Sequence, residues 1–182
     1  AGASVLCFLA LGFRVVKASR LLWYALLFFA LAALYIAGEE HSWGQHFFNW
    51  NTPSYWADIN RQQETNLHNT SAWFNQRPKL LFDIAMFIGG LVIPLIKLRT
   101  GPFQRPLLAL LTPSLVIAPA AVIAAAFKIV DDLGKDVIGE ALFTRPSEVV
   151  ETFQYLYMLL YVIVLRRRLR ALDEAGVQQV TL

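Results

Sequence analysis

Apolar runs alternate with short polar breaks along the whole chain, and their lengths predict helices that cross a bilayer. Residues 1–13 form the shortest run, about 20 Å long as a helix, which falls short of a hydrocarbon core of about 30 Å. Arg14, Lys17 and Arg20 follow it rather than precede it. That order argues against a signal-peptide core and for the inner end of a span that begins before Ala1. Residues 21–38 carry no charge and make the clearest span. Residues 80–98 make the next, with Asp83 one turn in, then Gly89, Gly90 and Pro94. Residues 106–130 follow, with Pro113, Pro119 and a run of small residues from Ala118 to Ala126. Small residues let helix backbones approach closely, and proline is tolerated in a span when neighbours satisfy the carbonyl it frees. Residues 149–165, which hold Tyr155, Tyr157 and Tyr161, stop at Arg166-Arg167-Arg168. The pattern predicts an all-α, polytopic transmembrane helix bundle, with residues 1–182 forming a single membrane domain.

One long polar stretch interrupts the pattern, residues 38–78, and the outer segment 39–78 is predicted to be partly helical. It contains all three histidines (His41, His46, His68) and four of the five tryptophans (Trp43, Trp50, Trp56, Trp73). A plain connector would be poor in tryptophan, so this segment has a task of its own. Residues 39–48 are expected to continue the preceding helix out of the bilayer. Thr52 and Pro53 then read as N-cap and first position of a second helix. On it Trp56, Ile59, Gln63 and Leu67 repeat at helical spacing, opposite Asp58, Arg61, Gln62 and Asn66. Such an amphipathic interfacial helix suits the membrane–water boundary, where tryptophans also gather as a simple belt.

Composition agrees with a membrane protein: 57% of residues are hydrophobic and 16% charged, against about 25% charged in soluble domains. The net charge of +3 makes no case for nucleic acid, and the lone Cys7 excludes an internal disulfide framework. Where the charges fall changes the picture more. Arg14, Lys17, Arg20, Lys97, Arg99, Arg105, Arg166, Arg167, Arg168 and Arg170 all fall at one side of the predicted bundle, and eleven of the thirteen acidic residues at the other. The positive-inside rule then makes the basic loops and the C-terminus cytoplasmic and turns residues 39–78 outward, to the periplasm of a bacterium.

Candidate chemistry collects at that outer side. Glu39 and Glu40 stand where an apolar helix leaves the membrane, and carboxylates there cost several kcal/mol unless paired, protonated or bound to a cation. On a continuing helix Glu39, Ser42 and His46 share a face beside Trp43, with His41 and Gln45 on another. Asn60, Glu64 and His68 are spaced i, i+4, i+8, so that Glu64 and His68 could meet one metal or one proton. Asp83 enters the next span from the same end, and Asp131, Asp132, Glu148 and Glu151 flank the last two. One reading has Glu39, His46, Glu64 and His68 bind zinc or another divalent metal. Glu39, Glu40, Glu64, His68 or Asp83 would then serve hydrolysis of a lipid or an exported substrate. A second has the same groups form a hydrogen-bonded plug, with Trp43, Trp50, Trp56 and Trp73 as an interface to a larger membrane complex. A small transporter is a third, hinted at by Asp83, Lys128 and the proline-broken span. There is no HExxH, no CxxC and no serine in a nucleophile motif, and histidines and glutamates at a membrane boundary are often simply solvated. An accessory or structural subunit is therefore the leading reading, and whether the chain is an enzyme stays open.

The strings EEHSWGQHFF and TPSYWADINRQQETNLHN carry an EE-x-SWGQ element and an N-x-Q-x-E-x-N-x-HN element. In these the chain resembles a group of bacterial multi-pass membrane proteins, through Glu39, Glu40, Ser42, Trp43, Gly44, Gln45, Asn60, Gln62, Glu64, Asn66, His68 and Asn69. The resemblance covers about thirty residues. It implies a bacterial inner-membrane location and no particular activity. His46 is not among the matching positions, which favours a carboxylate-rich site or a hydrogen-bond network over the zinc set.

Overall fold

A computed structural model describes residues 1–138, 143 and 145–176. Glu140, one of the acidic residues counted at the outer side, lies outside them. The regular structure of the described residues is helical throughout, and four helical stretches are long and apolar enough to cross a membrane: Arg20–Glu40, Ala72–Thr100, Pro106–Val137 and Pro146–Glu174. Their outward faces carry Phe28, Leu81, Leu98 and Val137, all exposed, as lipid contact requires and water would not allow over so wide a surface. The expected all-α polytopic bundle is what the chain forms.

Helices α1 (Gly2–Ala10), α2 (Arg14–Lys17) and α3 (Arg20–Glu40) form an N-terminal hairpin. Ala3, Cys7 and Ala10 recur on one face of α1 and pack with Leu22, Leu26, Ala30 and Ala33 of α3 in one core cluster. The backbones come near enough for the Ser4 hydroxyl to donate to the Ala30 carbonyl at 2.8 Å. Val162, Leu165 and Leu169 of α10 (Pro146–Glu174) complete this core. Between these helices lie α4 (Gln45–Phe48), α5 (Ser54–Ile59), α6 (Ala72–Phe87), α7 (Ile93–Thr100), α8 (Pro106–Leu111) and α9 (Ala118–Ile138).

A π-helical turn at Ile88–Val92 joins α6 to α7. Pro94 explains it, because proline has no N–H for the carbonyl four residues back and its ring crowds that carbonyl. Gly89 and Gly90 in this turn are buried, next to a second core made of Met86, Ile117, Ala120, Ala121, Ala124 and Tyr157.

The third span breaks at Thr112, whose extended backbone ends α8, before a 3-10 turn at Leu115–Ile117 leads into α9. Carbonyls freed at a break inside a bundle need other donors. Here Arg168 Nη1 donates to the carbonyls of Leu110 at 2.9 Å and Thr112 at 2.7 Å, the Tyr161 hydroxyl to that of Leu111 at 2.8 Å, and Lys97 Nζ to that of Pro113 at 3.0 Å. Arg168→Ala is therefore expected to lower unfolding stability in detergent by about 1.5–3 kcal/mol, the range for hydrogen bonds to a charged group. Arg168→Lys should recover only part, having no planar fork; equal melting of wild type and Arg168→Ala would contradict this account.

Candidate functional site

The helix α3 outruns its apolar stretch by two residues, Glu39 and Glu40, and then stops abruptly. Ser42, Trp43 and Gly44 follow with φ of 47°, 55° and 105°. For the first two this is the left-handed region, at about 1–2 kcal/mol per non-glycine residue, so the turn exists only because other groups hold it. The expected unbroken helix over residues 39–48 is thus corrected to a helix ending at Glu40, a left-handed turn and the short α4. Gly44 is required at its positive φ, and Gly38 is required by a close approach. A Cβ on Gly38 would lie 2.8 Å from the Trp43 ring, which folds back over it.

The second helix also differs from expectation. It covers only Ser54–Ile59, and the Thr52 hydroxyl, predicted as its cap, instead accepts from Gln45 Nε2 at 2.7 Å and donates to the Gln63 carbonyl. Asn60 ends the helix by competing for backbone partners. Its Oδ1 accepts from the N–H groups of Gln62 (2.9 Å) and Glu64 (3.2 Å), while its Nδ2 donates to the carbonyl and Oδ1 of Asn66, both at 2.8 Å. Asn60, Glu64 and His68 therefore form no helical row, and the stripe running through Gln63 and Leu67 does not exist.

Folded this way, the segment assembles around two carboxylates. Glu39 is 4% exposed. Its Oε1 accepts from Trp43 Nε1 at 2.7 Å; its Oε2 accepts from the backbone N–H groups of Leu67 at 2.7 Å and His68 at 2.9 Å. His68 Nδ1 lies 3.4 Å from the same oxygen, too poorly aligned to be a hydrogen bond. Glu64 Oε2 accepts from the Ser42 hydroxyl at 2.8 Å and from Asn66 Nδ2 at 2.7 Å, and Asn66 Nδ2 also donates to Ser42 Oγ at 2.9 Å. Gln45 Oε1 receives the Thr65 N–H at 2.9 Å, and the Thr65 hydroxyl reaches the Ser42 carbonyl at 2.9 Å. Buried polar groups paired this fully are mutually supporting.

The residues proposed to ligate a metal are brought together two by two: Glu39 with His68, and Glu64 with His46 at 3.4 Å. Among the described residues no three His, Cys, Asp or Glu side chains converge as a metal-sized cluster. Ser42, His46 and Glu64 superficially suggest a nucleophilic triad. However, His46 Nε2 faces both Ser42 and Glu64, whereas a triad needs the acid at the far ring nitrogen. Ser42 is also wholly buried, with its proton given to Glu64.

The other candidates lie apart. Glu40 accepts from the Tyr155 hydroxyl of α10 at 2.9 Å. Asp83 sits about three turns into α6, bridged to Lys128 of α9 and Gln154 of α10. Asp131 pairs with Lys135, and Glu151 with Lys79 at 2.7 Å. Trp43 is half-exposed; Trp50 stacks on Phe48 with centroids 6.1 Å apart; Trp56 and Trp73 make edge contacts with Tyr55 and Phe74. Sequence reasoning missed Thr65, set Gln45 on a different face from Glu39, and placed Asn66 on a solvated face although it is almost wholly buried. The signal was there in the run of amides and hydroxyls from Asn60 to Thr70, too dense for a solvated helix face.

Fold and site together define a polytopic α-helical integral membrane protein whose longest polar segment is a self-satisfied cap on one end of the bundle. No family model matches the chain, and neither a curated protein nor a solved structure matches it.

Proposed function

We propose that the chain is an accessory or structural subunit of a larger assembly in a bacterial inner membrane, docking through the capping segment. Its arginine-rich end would face the cytoplasm and the cap the periplasm, following the charge asymmetry of the loops. The observation that carries the reading is the inside-out arrangement of the cap. Glu39, Asn60, Glu64 and Asn66 point inward and are satisfied, while aromatic side chains point out: Phe48 is 78% exposed, Tyr55 67% and Trp73 63%. A preorganised surface rich in aromatic residues is what partner-binding patches share. A hydrolase working through the Glu39–His68 pair and a transporter working through Asp83 and Lys128 rest on fewer contacts.

Trp56 and Trp73 make no side-chain hydrogen bond among the described residues, so replacing them tests docking without unpicking the cap. Trp56→Ala with Trp73→Ala is expected to abolish co-purification of a fixed-stoichiometry partner from native membranes while leaving the melting temperature within about 4 °C, the scale of two surface substitutions. Stoichiometric zinc in the purified protein, lost in both Glu64→Ala and His68→Ala, would overturn this reading in favour of the hydrolase.

A further inference from the structure

A cleft opens at the capped end of the bundle between the last two turns of α3 and the first three turns of α6 and α10. Tyr35 and Ile36 line it from α3, Lys79 and Phe82 from α6, and Glu151 and Tyr155 from α10, with Glu40 at its rim. Its volume is about 70 Å³, room for about five waters at 10–15 Å³ each. That suits a small polar group and excludes a helix or a pair of acyl chains.

Three features of the walls specify that group. Charges of both signs face one small space, with Glu40 and Glu151 on one hand and Lys79 on the other; Glu39 and His68 also line it, but both Glu39 oxygens are already taken by donors of the cap. Only part of their bonding capacity is used. Glu40 Oε1 takes the Tyr155 hydroxyl and Glu151 Oε1 takes Lys79 Nζ, and among the described residues nothing donates to the second oxygen of either. A lysine ammonium has three N–H groups, so Lys79 keeps donors to spare. The third feature is aromatic. Phe82 and Tyr155 stack with centroids 6.4 Å apart and planes at 27°, giving a π-rich wall beside the carboxylates, the setting in which a desolvated cation is held well. Below the charged rim, Ile36 and Phe82 continue into the apolar, bilayer-facing surface of the spans.

We infer that this cleft binds the headgroup of a zwitterionic phospholipid carrying a primary ammonium, of the ethanolamine type. The ammonium sits between Glu40, Glu151 and the Phe82–Tyr155 wall, the phosphate accepts from Lys79, and the acyl chains run down the outside of α3 and α6. The small volume favours the primary amine over a trimethylated one, and the carboxylates disfavour an anionic glycerol headgroup. The inference does not rest on the docking reading, and neither Trp56 nor Trp73 lines the cleft.

The test is lipid retention by the full chain, purified from mixed vesicles of ethanolamine, choline and glycerol phospholipids and read by native mass spectrometry. Ethanolamine lipid is expected to be enriched about tenfold over glycerol lipid, the equivalent of one charge-assisted contact. Glu40→Gln should remove that enrichment, and Tyr155→Phe, which keeps the ring and the fold, should weaken it. Equal retention of all three lipids would overturn the inference, as would enrichment unchanged in Glu40→Gln. Soluble glycerophosphoethanolamine serves as the other arm. If it displaces the lipid at micromolar concentration, the ligand is a soluble amine phosphate and the membrane assignment fails; if the lipid stays bound, the assignment stands.

Discussion

Glu39→Ala is expected to unfasten the cap and to cost about 3–5 kcal/mol, the scale of leaving three buried donors without an acceptor. Three donors lose their acceptor at once: the Trp43 indole N–H and the backbone N–H groups of Leu67 and His68. Each loses its acceptor, at about 1–3 kcal/mol apiece where no water replaces it. The left-handed turn at Ser42 and Trp43 loses the indole contact that holds it, so the segment from His41 to Ser71 should open as a unit. Glu39→Gln keeps the shape but sets an amide NH₂ against incoming donors, so it should recover no more than about half of the loss. Glu40→Ala is the control, because Glu40 is exposed and has one hydrogen bond, from Tyr155. It should fall within about 1 kcal/mol of wild type. Denaturant unfolding in micelles, with tryptophan emission reporting the cap and limited proteolysis reporting residues 41–71, separates these cases. If Glu39→Ala unfolds like Glu40→Ala and Trp43 emission does not shift to the red, the cap is not built on Glu39.

The spans were legible because one property dominates them. A run of about twenty apolar residues has few options but a helix in lipid, and the expected runs at residues 21–38, 80–98, 106–130 and 149–165 all lie inside observed helical stretches. The cap was legible in content and not in geometry. Glu39, Glu64 and His68 were singled out, and they do meet groups from across the segment. The periodicity that seemed to put Asn60, Glu64 and His68 on one helix face was real in spacing yet irrelevant, because Asn60 spends its side chain closing a turn rather than riding a helix. Local hydrogen bonding of this kind leaves no period to read. The left-handed backbone at Ser42 and Trp43 has no sequence mark except the glycine after them, since neither residue favours that region. Arg168 illustrates the same limit at the other end of the bundle. Its place in an arginine run marked a membrane boundary, but its bonds to the carbonyls of the broken third span depend on tertiary contact alone.

Gly90→Ala is expected to be the most damaging single-methyl addition in the spans, and the sign of its effect is diagnostic. In a helix free of neighbours, alanine in place of glycine stabilises by about 1 kcal/mol. At Gly90 the new Cβ would lie 2.2 Å from the Cβ of Ala121, where real Cβ contacts essentially never come under 3.0 Å. Ala121 belongs to α9 and is 1% exposed, so it has nowhere to withdraw. The π turn and α9 must move apart, pulling Met86, Ile117 and Tyr157 out of register in the same core. Overpacking of this kind costs about 1–3 kcal/mol, so the net change should be a loss of up to about 2 kcal/mol once the propensity gain of about 1 kcal/mol is set against it. Gly89→Ala meets the Tyr157 hydroxyl at 2.8 Å, the far end of a side chain that can swing, so its loss should be smaller. Ala121→Gly in the Gly90→Ala background hands the methyl group from one helix to the other and should restore most of the stability. The coupling expected between such touching sites is about 1–3 kcal/mol. Thermal unfolding in nanodiscs measures all four proteins of the cycle. Gly90→Ala melting at or above wild type, or an Ala121→Gly partner that gives no rescue, would mean that α9 does not pack on the π turn at this glycine.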